Sequence, residues 1–146
     1  MTTSRSRTRL LSSGVPVVWA TLSNFGAISE WAGDVSHSTP LSSPADGPGA
    51  VRRVQVGRET LREQVVGWDP PHLLSYTVEG LPAIVRRVIT TWTLASEGQG
   101  TRVTVTSDVT TRPPLLAPLV ARRLAAVAER LIADLSEHHR STPAQP

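Results

Sequence analysis

The stretch that decides the fold runs from residue 50 to residue 112 and reads AVRRVQVGRETLREQVVGWDPPHLLSYTVEGLPAIVRRVITTWTLASEGQGTRVTVTSDVTTR. Apolar and polar side chains alternate along it with a period of two, which is the pattern of strands with one buried face. The alternation predicts strands at 50–57, 60–68, 72–79, 84–96 and 100–112. The breaks between them carry turn residues: Gly57-Arg58, Asp69-Pro70-Pro71, Gly80-Leu81-Pro82 and Glu97-Gly98-Gln99-Gly100. Strands joined in succession by short turns indicate an antiparallel meander.

Further elements lie on both sides of this meander. Residues 4–12 alternate as a first strand, and residues 16–23 and 25–32 have the apolar spacing of two short helices. The Ser-, Pro- and Gly-rich segment that follows includes at most a short strand at 35–42. Residues 115–139 place apolar side chains three and four apart, which predicts a long amphipathic helix.

This order of elements predicts an α+β architecture, in which a curved antiparallel sheet wraps around the long C-terminal helix. We expect one domain over residues 1–140 and a frayed tail at 141–146. A twisted sheet around one helix leaves volume between them unless large side chains fill it. Aromatic residues are only 4% of the chain, which favours an internal cavity.

Composition narrows the classes of function. The 146 residues have a net charge of +3, and all 15 basic residues are arginines in scattered pairs, which does not indicate a nucleic-acid binder. The chain has no cysteine and no apolar run long enough for stable membrane insertion. The histidines lack ligand spacing, and no phosphate-binding glycine loop occurs. We therefore expect a cytoplasmic protein with no metal and no cofactor.

Strand pairing brings three polar residues together on the predicted inner face. If Gly57-Arg58 is a two-residue hairpin loop, Arg52 lies directly opposite Glu63. If 68–71 is a four-residue loop, Glu63 also lies opposite Tyr76. An arginine and a glutamate buried side by side must pair, because either charge alone is costly to desolvate. The row is either the polar anchor of a ligand pocket or a structural ion pair that fixes strand register.

The same alternation gives a set of candidate ligand-binding residues. Pairing Leu94 with Val103 places Trp92 opposite Val105 and Thr90 opposite Ser107. Trp68 falls on the strand face opposite to that of Glu63 and is predicted to pack outside the cavity. The candidate lining comprises Trp19, Trp31, Arg52, Val54, Glu63, Val65, Tyr76, Val78, Thr90, Trp92, Val105, Ser107, Val127 and Leu131.

The chain resembles the START-like, Bet v 1-like superfamily, and within it the bacterial polyketide cyclase/dehydrase and lipid-transport group. The resemblance covers roughly 5–138, and the order of its short motifs carries it. These motifs are Pro16 to Trp19, Asn24-Phe25 through Trp31, Gly49 to Arg52, Glu63, Asp69-Pro70-Pro71, Tyr76, Gly100 to Val103 and the closing helix. The resemblance implies a helix-grip fold with a hydrophobic cavity that takes lipids, polyketides or other apolar ligands.

Three functions remain open at this point. The first is a binding or carrier domain for a small hydrophobic ligand such as a lipid, a polyketide or an isoprenoid-like molecule. The second is an aromatase/cyclase-type enzyme that uses Glu63, Tyr76 and Arg52 as catalytic residues. The third is a regulatory or stress protein that acts through protein contacts. Pairing with Arg52 neutralises the Glu63 carboxylate, so Glu63 is not free to exchange protons with a ligand. This favours binding over catalysis. The arginines of strand 4–12 disfavour pairing of this edge strand with a strand of another molecule, so we expect a monomer or a weak homodimer.

Overall fold

The computed structural model describes residues 2–141, and nearly half of them lie in seven strands. The strands are β1 (Thr2–Leu11), β2 (Val35–Pro40), β3 (Val51–Val56), β4 (Glu59–Asp69), β5 (Leu73–Glu79), β6 (Val85–Glu97) and β7 (Gly100–Thr111). The helices are α1 (Val15–Ser23), a first 3-10 helix (Phe25–Glu30), a second 3-10 helix (Pro114–Leu116) and α2 (Ala117–Ser141). The tail predicted at 141–146 lies outside the described residues except for Ser141, which is the last residue of α2.

The strands form one antiparallel sheet in the order β1-β7-β6-β5-β4-β3-β2. Its concave face packs on α2, while α1 and the first 3-10 helix close one end of the curve. The predicted α+β helix-grip architecture is therefore confirmed. The predicted first strand is an edge of the sheet, paired only with β7.

The hairpin between β3 and β4 has the predicted register. Gly57 adopts a φ of +59°, the left-handed conformation that a two-residue turn requires. Val56 pairs with Glu59, Val54 with Leu61, and Arg52 with Glu63. The predicted register of the β6–β7 hairpin is also confirmed, since Trp92 pairs with Val105 and Thr90 with Ser107.

The predicted register between β4 and β5 is wrong. Tyr76 pairs with Val65 instead of Glu63. The main reason is that β4 continues to Asp69, which pairs with Leu73, so the turn is 70–72 and not 68–71; the ladder then shifts by one residue between Val65 and Gly67. Val66 is the extra residue of this β-bulge, and more than half of its side chain is exposed. Beyond the bulge the alternation of faces reverses, so Trp68 turns inward onto the main core, contrary to the outward placement predicted for it.

Helix α2 presents small residues to the sheet. Ala117, Ala121, Ala125 and Ala128 are all buried along its inner face, whereas the larger Ile132 and Leu135 follow toward its end. Alanines let the first half of the helix approach the sheet without filling the space beside it. Over residues 2–141, no helix is both long and apolar enough to cross a membrane.

Candidate ligand pocket

One end of the interior is solid because all six aromatic residues of the chain gather there. They form three edge-to-face pairs, with ring centroids 5.2 Å apart for Trp19–Trp68, 5.6 Å for Phe25–Tyr76 and 5.9 Å for Trp31–Trp92. The Trp92 indole also donates a hydrogen bond of 3.1 Å to the Tyr76 hydroxyl. The space left among these rings and their aliphatic neighbours is only about 10 Å³. We call this region the aromatic end.

Arg52 lies at the inner boundary of the aromatic end and is 3% exposed. Its guanidinium donates from Nε to Glu63 Oε1 at 2.8 Å and from Nη1 to the Phe25 carbonyl at 2.8 Å. Its Nη2 lies 2.7 Å from Glu63 Oε1 as an ion-pair contact without hydrogen-bond geometry. The guanidinium carbon stacks 3.9 Å from the centroid of the Phe25 ring and 4.7 Å from that of Tyr76. The predicted Arg52–Glu63 pair is confirmed. The pair is held by hydrogen bonds and by two cation–π contacts, which compensate the desolvation of its charges.

The other end of the interior contains a pocket of about 260 Å³ between the sheet and α2. Most of its wall is aliphatic, and the polar side chains that reach it are Glu63, Tyr76, Thr90, Ser107 and, at the hairpin of β3 and β4, Glu59. A mostly apolar concavity with a few polar groups is the usual form of a small-molecule site. We call this cavity the aliphatic pocket.

Over half of the candidate lining residues reach the aliphatic pocket. They are Glu63, Tyr76, Val78, Thr90, Val105, Ser107, Val127 and Leu131. Val54 borders an adjoining space of about 110 Å³, and Trp31, Arg52 and Trp92 border the small gap at the aromatic end. Trp19 and Val65 lie elsewhere: Trp19 packs on Trp68, and Val65 is buried in the main core. The structure therefore puts Arg52 behind Glu63 and not on the pocket wall.

The list of candidate lining residues left out several apolar residues of the wall: Val56, Leu61, Leu81, Val88, Leu124 and Ala128. Val56 and Leu61 share the alternation of Arg52 and Glu63, and Val88 shares that of Thr90, so period two was enough to include them. Leu81 belongs to a loop, where no periodicity indicates the direction of a side chain.

Tyr76 is the most perturbed titratable group of this region. Burial and the neighbouring Glu63 carboxylate raise its pKa to about 12, although Arg52 and the Trp92 hydrogen bond act in the opposite direction. The phenol is therefore neutral at physiological pH. Since its oxygen accepts from Trp92, its own proton remains to be donated to another acceptor.

The adjoining space extends the aliphatic pocket toward the start of β2. It shares Val56, Leu61, Glu63, Tyr76, Val127 and Leu131 with that pocket. Asp34 and Arg130 border its outer end and form an ion pair of 2.8 Å. The Gly33 amide also donates to Asp134 Oδ2 at 2.9 Å, so two polar contacts join α2 to this loop.

The grip of a curved sheet on α2, with an apolar pocket between them, defines a helix-grip protein of the START and Bet v 1 class. The sequence profile of the family described as polyketide cyclase/dehydrase and lipid transport matches residues 6–139, and the chain belongs to that family. Among curated proteins, none matches this sequence.

Solved structures agree with this fold assignment. An aromatase/cyclase (ZhuI) from a Streptomyces species has a TM-score of 0.75 at 21% identity, over 99% of this chain and 98% of that one. A START superfamily protein from Mycobacterium smegmatis has a TM-score of 0.77 at 15% identity, over 92% and 95% of the two chains. Ara h 8.0201 has a TM-score of 0.80 at 12% identity, over 97% and 100%. At such identities the similarity concerns the fold alone.

Proposed function

We propose that this protein binds a small hydrophobic molecule, such as a lipid, polyketide or isoprenoid-like compound, in the aliphatic pocket. The observation that carries the proposal is the unfilled volume of about 260 Å³ beside a tightly packed aromatic end in the same core. Protein interiors are close-packed, so a pocket of this size, lined mainly by aliphatic side chains, leaves contacts that an apolar ligand would recover.

The polar groups of the pocket favour a ligand with one neutral polar end. The Glu63 carboxylate is already balanced by Arg52, so that no uncompensated charge awaits an ionic partner deep in the pocket. Tyr76, Thr90 and Ser107 offer hydroxyl groups on the same wall, and Glu63 offers a carboxylate acceptor. A hydroxyl or carbonyl group could bond there while aliphatic walls enclose the rest of the molecule.

Two neighbouring threonines of β6 provide a matched test. Thr90 faces the pocket, whereas Thr91 pairs with Thr106 on the opposite face of the sheet. Titrating a fluorescent long-chain alcohol into the wild-type protein should give saturable binding. Thr90→Phe should reduce the affinity at least about tenfold because the ring occupies the pocket. Thr91→Phe should bind like the wild type, and equal affinities for all three proteins would refute the proposal.

A cyclase or dehydratase that acts on a bound poly-β-ketone is the second candidate. Glu63 and Tyr76 both border the pocket with Arg52 behind them, which would suit proton transfer next to a stabilised enolate. Two features weigh against it: Arg52 occupies Glu63 Oε1, and the raised pKa of Tyr76 makes the phenol a poor proton donor near neutrality.

Mass spectrometry of a poly-β-ketone substrate incubated with the protein separates the two candidates. A carrier returns the compound unchanged. Cyclised or dehydrated product in the wild type, lost in Glu63→Gln while binding of the fluorescent alcohol persists, would favour the enzyme. If the protein neither binds nor converts these compounds, a role through protein contacts is favoured instead.

A further inference from the structure

Two segments that meet beside the aliphatic pocket contain arginines and no carboxylate. Residues 80–96 and 109–128 together include Arg86, Arg87, Arg112, Arg122 and Arg123, without any aspartate or glutamate. All five arginines are exposed, and none forms an ion pair within residues 2–141. Five cations therefore concentrate in a protein with a net charge of only +3.

The two segments are held together by the fold. The Arg112 amide donates to the Ile84 carbonyl at 2.8 Å, and Val85 pairs with Thr111. Beneath them Leu81, Val85, Val120 and Leu124 pack on one small core cluster. The four carboxylates that flank these segments in sequence are engaged elsewhere. Glu79 pairs with Arg62, Glu97 with Arg102 and Glu129 with Arg7, and Asp108 accepts a hydrogen bond from Ser4.

The same two segments also carry exposed aliphatic side chains. Leu115 is 86% exposed on the turn that precedes α2, Leu119 is 54% exposed one turn later, and Ile84 is 43% exposed on the facing loop. Prolines at 113, 114 and 118 stiffen the turn that presents Leu115. We call Ile84, Leu115, Leu119 and the five arginines the Leu115 surface.

We propose that the Leu115 surface docks reversibly on an anionic lipid bilayer. Arginines adjacent to protruding aliphatic side chains match a surface of negative headgroups above an acyl interior. A protein partner is less well matched because the centres of protein interfaces are rich in aromatic residues, and every aromatic side chain of this chain packs at the aromatic end.

Docking in this way would bring the membrane close to the aliphatic pocket. Leu81 and Leu124 belong both to the pocket wall and to the cluster beneath the Leu115 surface. An apolar ligand could then pass between bilayer and pocket with little exposure to water. The docking surface itself rests on its own residues and does not depend on the pocket function proposed above.

Vesicle flotation tests the docking directly. The wild-type protein should float with phosphatidylcholine vesicles that contain phosphatidylglycerol, should not float with phosphatidylcholine alone, and should be released by added salt. Arg122→Gln with Arg123→Gln should weaken binding about tenfold or more, because each arginine near an anionic surface contributes separately. The control Arg9→Gln with Arg53→Gln removes the same charge from exposed arginines outside the Leu115 surface and should float like the wild type.

A second pair of variants tests the apolar part. Leu115→Ser should lower vesicle binding several-fold, whereas Leu41→Ser, 53% exposed in the loop after β2, should not. Thr90→Phe should keep full vesicle binding even though it loses the pocket ligand, so the two proposals can fail separately. Absence of flotation, equal flotation of both arginine variants, or salt-sensitive binding to an acidic protein or nucleic acid without binding to vesicles would overturn the docking.

Discussion

The aromatic end and the aliphatic pocket occupy one continuous core but have opposite packing. At the aromatic end three ring pairs leave about 10 Å³, whereas about 260 Å³ remains beside valines, leucines and alanines in the pocket. Arg52 and Glu63 lie at the boundary between the two. The difference teaches that the low aromatic content of a chain does not by itself make a cavity. The cavity arises because the few large rings are confined to one end.

The largest effect is expected at the boundary between the two regions. Arg52→Met leaves Glu63 buried without its partner and should lower the free energy of unfolding by about 3–5 kcal/mol in chemical denaturation. Adding Glu63→Met should restore much of this loss, because no unpaired charge then remains. Arg53→Met, on the exposed side of the same strand, is the control and should change stability by about 0.5 kcal/mol or less. A loss below about 1 kcal/mol for Arg52→Met would mean that the pair does not secure the boundary.

Two leucine truncations compare the regions directly. Leu74 is 1% exposed at the aromatic end, so Leu74→Ala should cost about 2–5 kcal/mol through lost contacts and a new cavity. Leu124 already faces open volume, and Leu124→Ala should cost about 1 kcal/mol. Equal losses in thermal or denaturant unfolding would show that the two regions are packed alike.

Alkaline titration tests whether Tyr76, which lies next to the Arg52–Glu63 pair, is buried. Tyr76 is the single tyrosine of the chain, so tyrosinate absorbance reports on it alone. Its midpoint should lie near pH 12, against about 10 for a free tyrosine. Because the folded pKa is raised, the associated stability is complete below pH 10 and is lost between pH 10 and 12. A midpoint near 10 in the folded protein would place Tyr76 in contact with water.

The smallest effect on stability is expected at the outer end of the aliphatic region. The Asp34–Arg130 pair is solvent-exposed, and Asp34→Asn should change the free energy of unfolding by about 0.5 kcal/mol or less. Release of a bound fluorescent long-chain alcohol should nevertheless accelerate, because this pair joins α2 to the loop that borders the adjoining space. Glu129→Gln breaks an equally exposed pair between α2 and Arg7 and should leave the release rate unchanged. Identical stopped-flow release rates for both variants would contradict the prediction that the Asp34–Arg130 pair slows the exit of the ligand.

Much of the fold could be predicted because alternation and turn chemistry act locally. Gly57 fixed the β3–β4 hairpin, and with it the pairing of Arg52 with Glu63. The bulge at Val66 could not be predicted, since Val65 and Val66 are equally suited to either face of a strand. That single extra residue turned Trp68 inward. The two-position displacement of Tyr76 along β4 comes from the bulge together with a turn at 70–72 in place of 68–71.

The pocket could be predicted only in part, for a different physical reason. Period two identified the strand residues of its wall, such as Thr90 and Ser107. Which inward residues border empty volume depends on the side chains facing them across the core. Val65 and Val105 both point inward, yet only Val105 reaches the pocket because the aromatic rings and α1 fill the space near Val65.

The measurement that tests the central claim most directly is methyl NMR of the protein during titration with a long-chain alcohol. The account predicts saturable shifts for the methyl groups of Val78, Val88, Val105, Leu124 and Val127, which border the aliphatic pocket. Leu22, Leu74 and Leu94, packed in the main core with the aromatic rings, should remain unchanged. Shifts spread evenly over both groups, or none at saturating alcohol, would contradict the claim that only the aliphatic end of this core is open to a ligand.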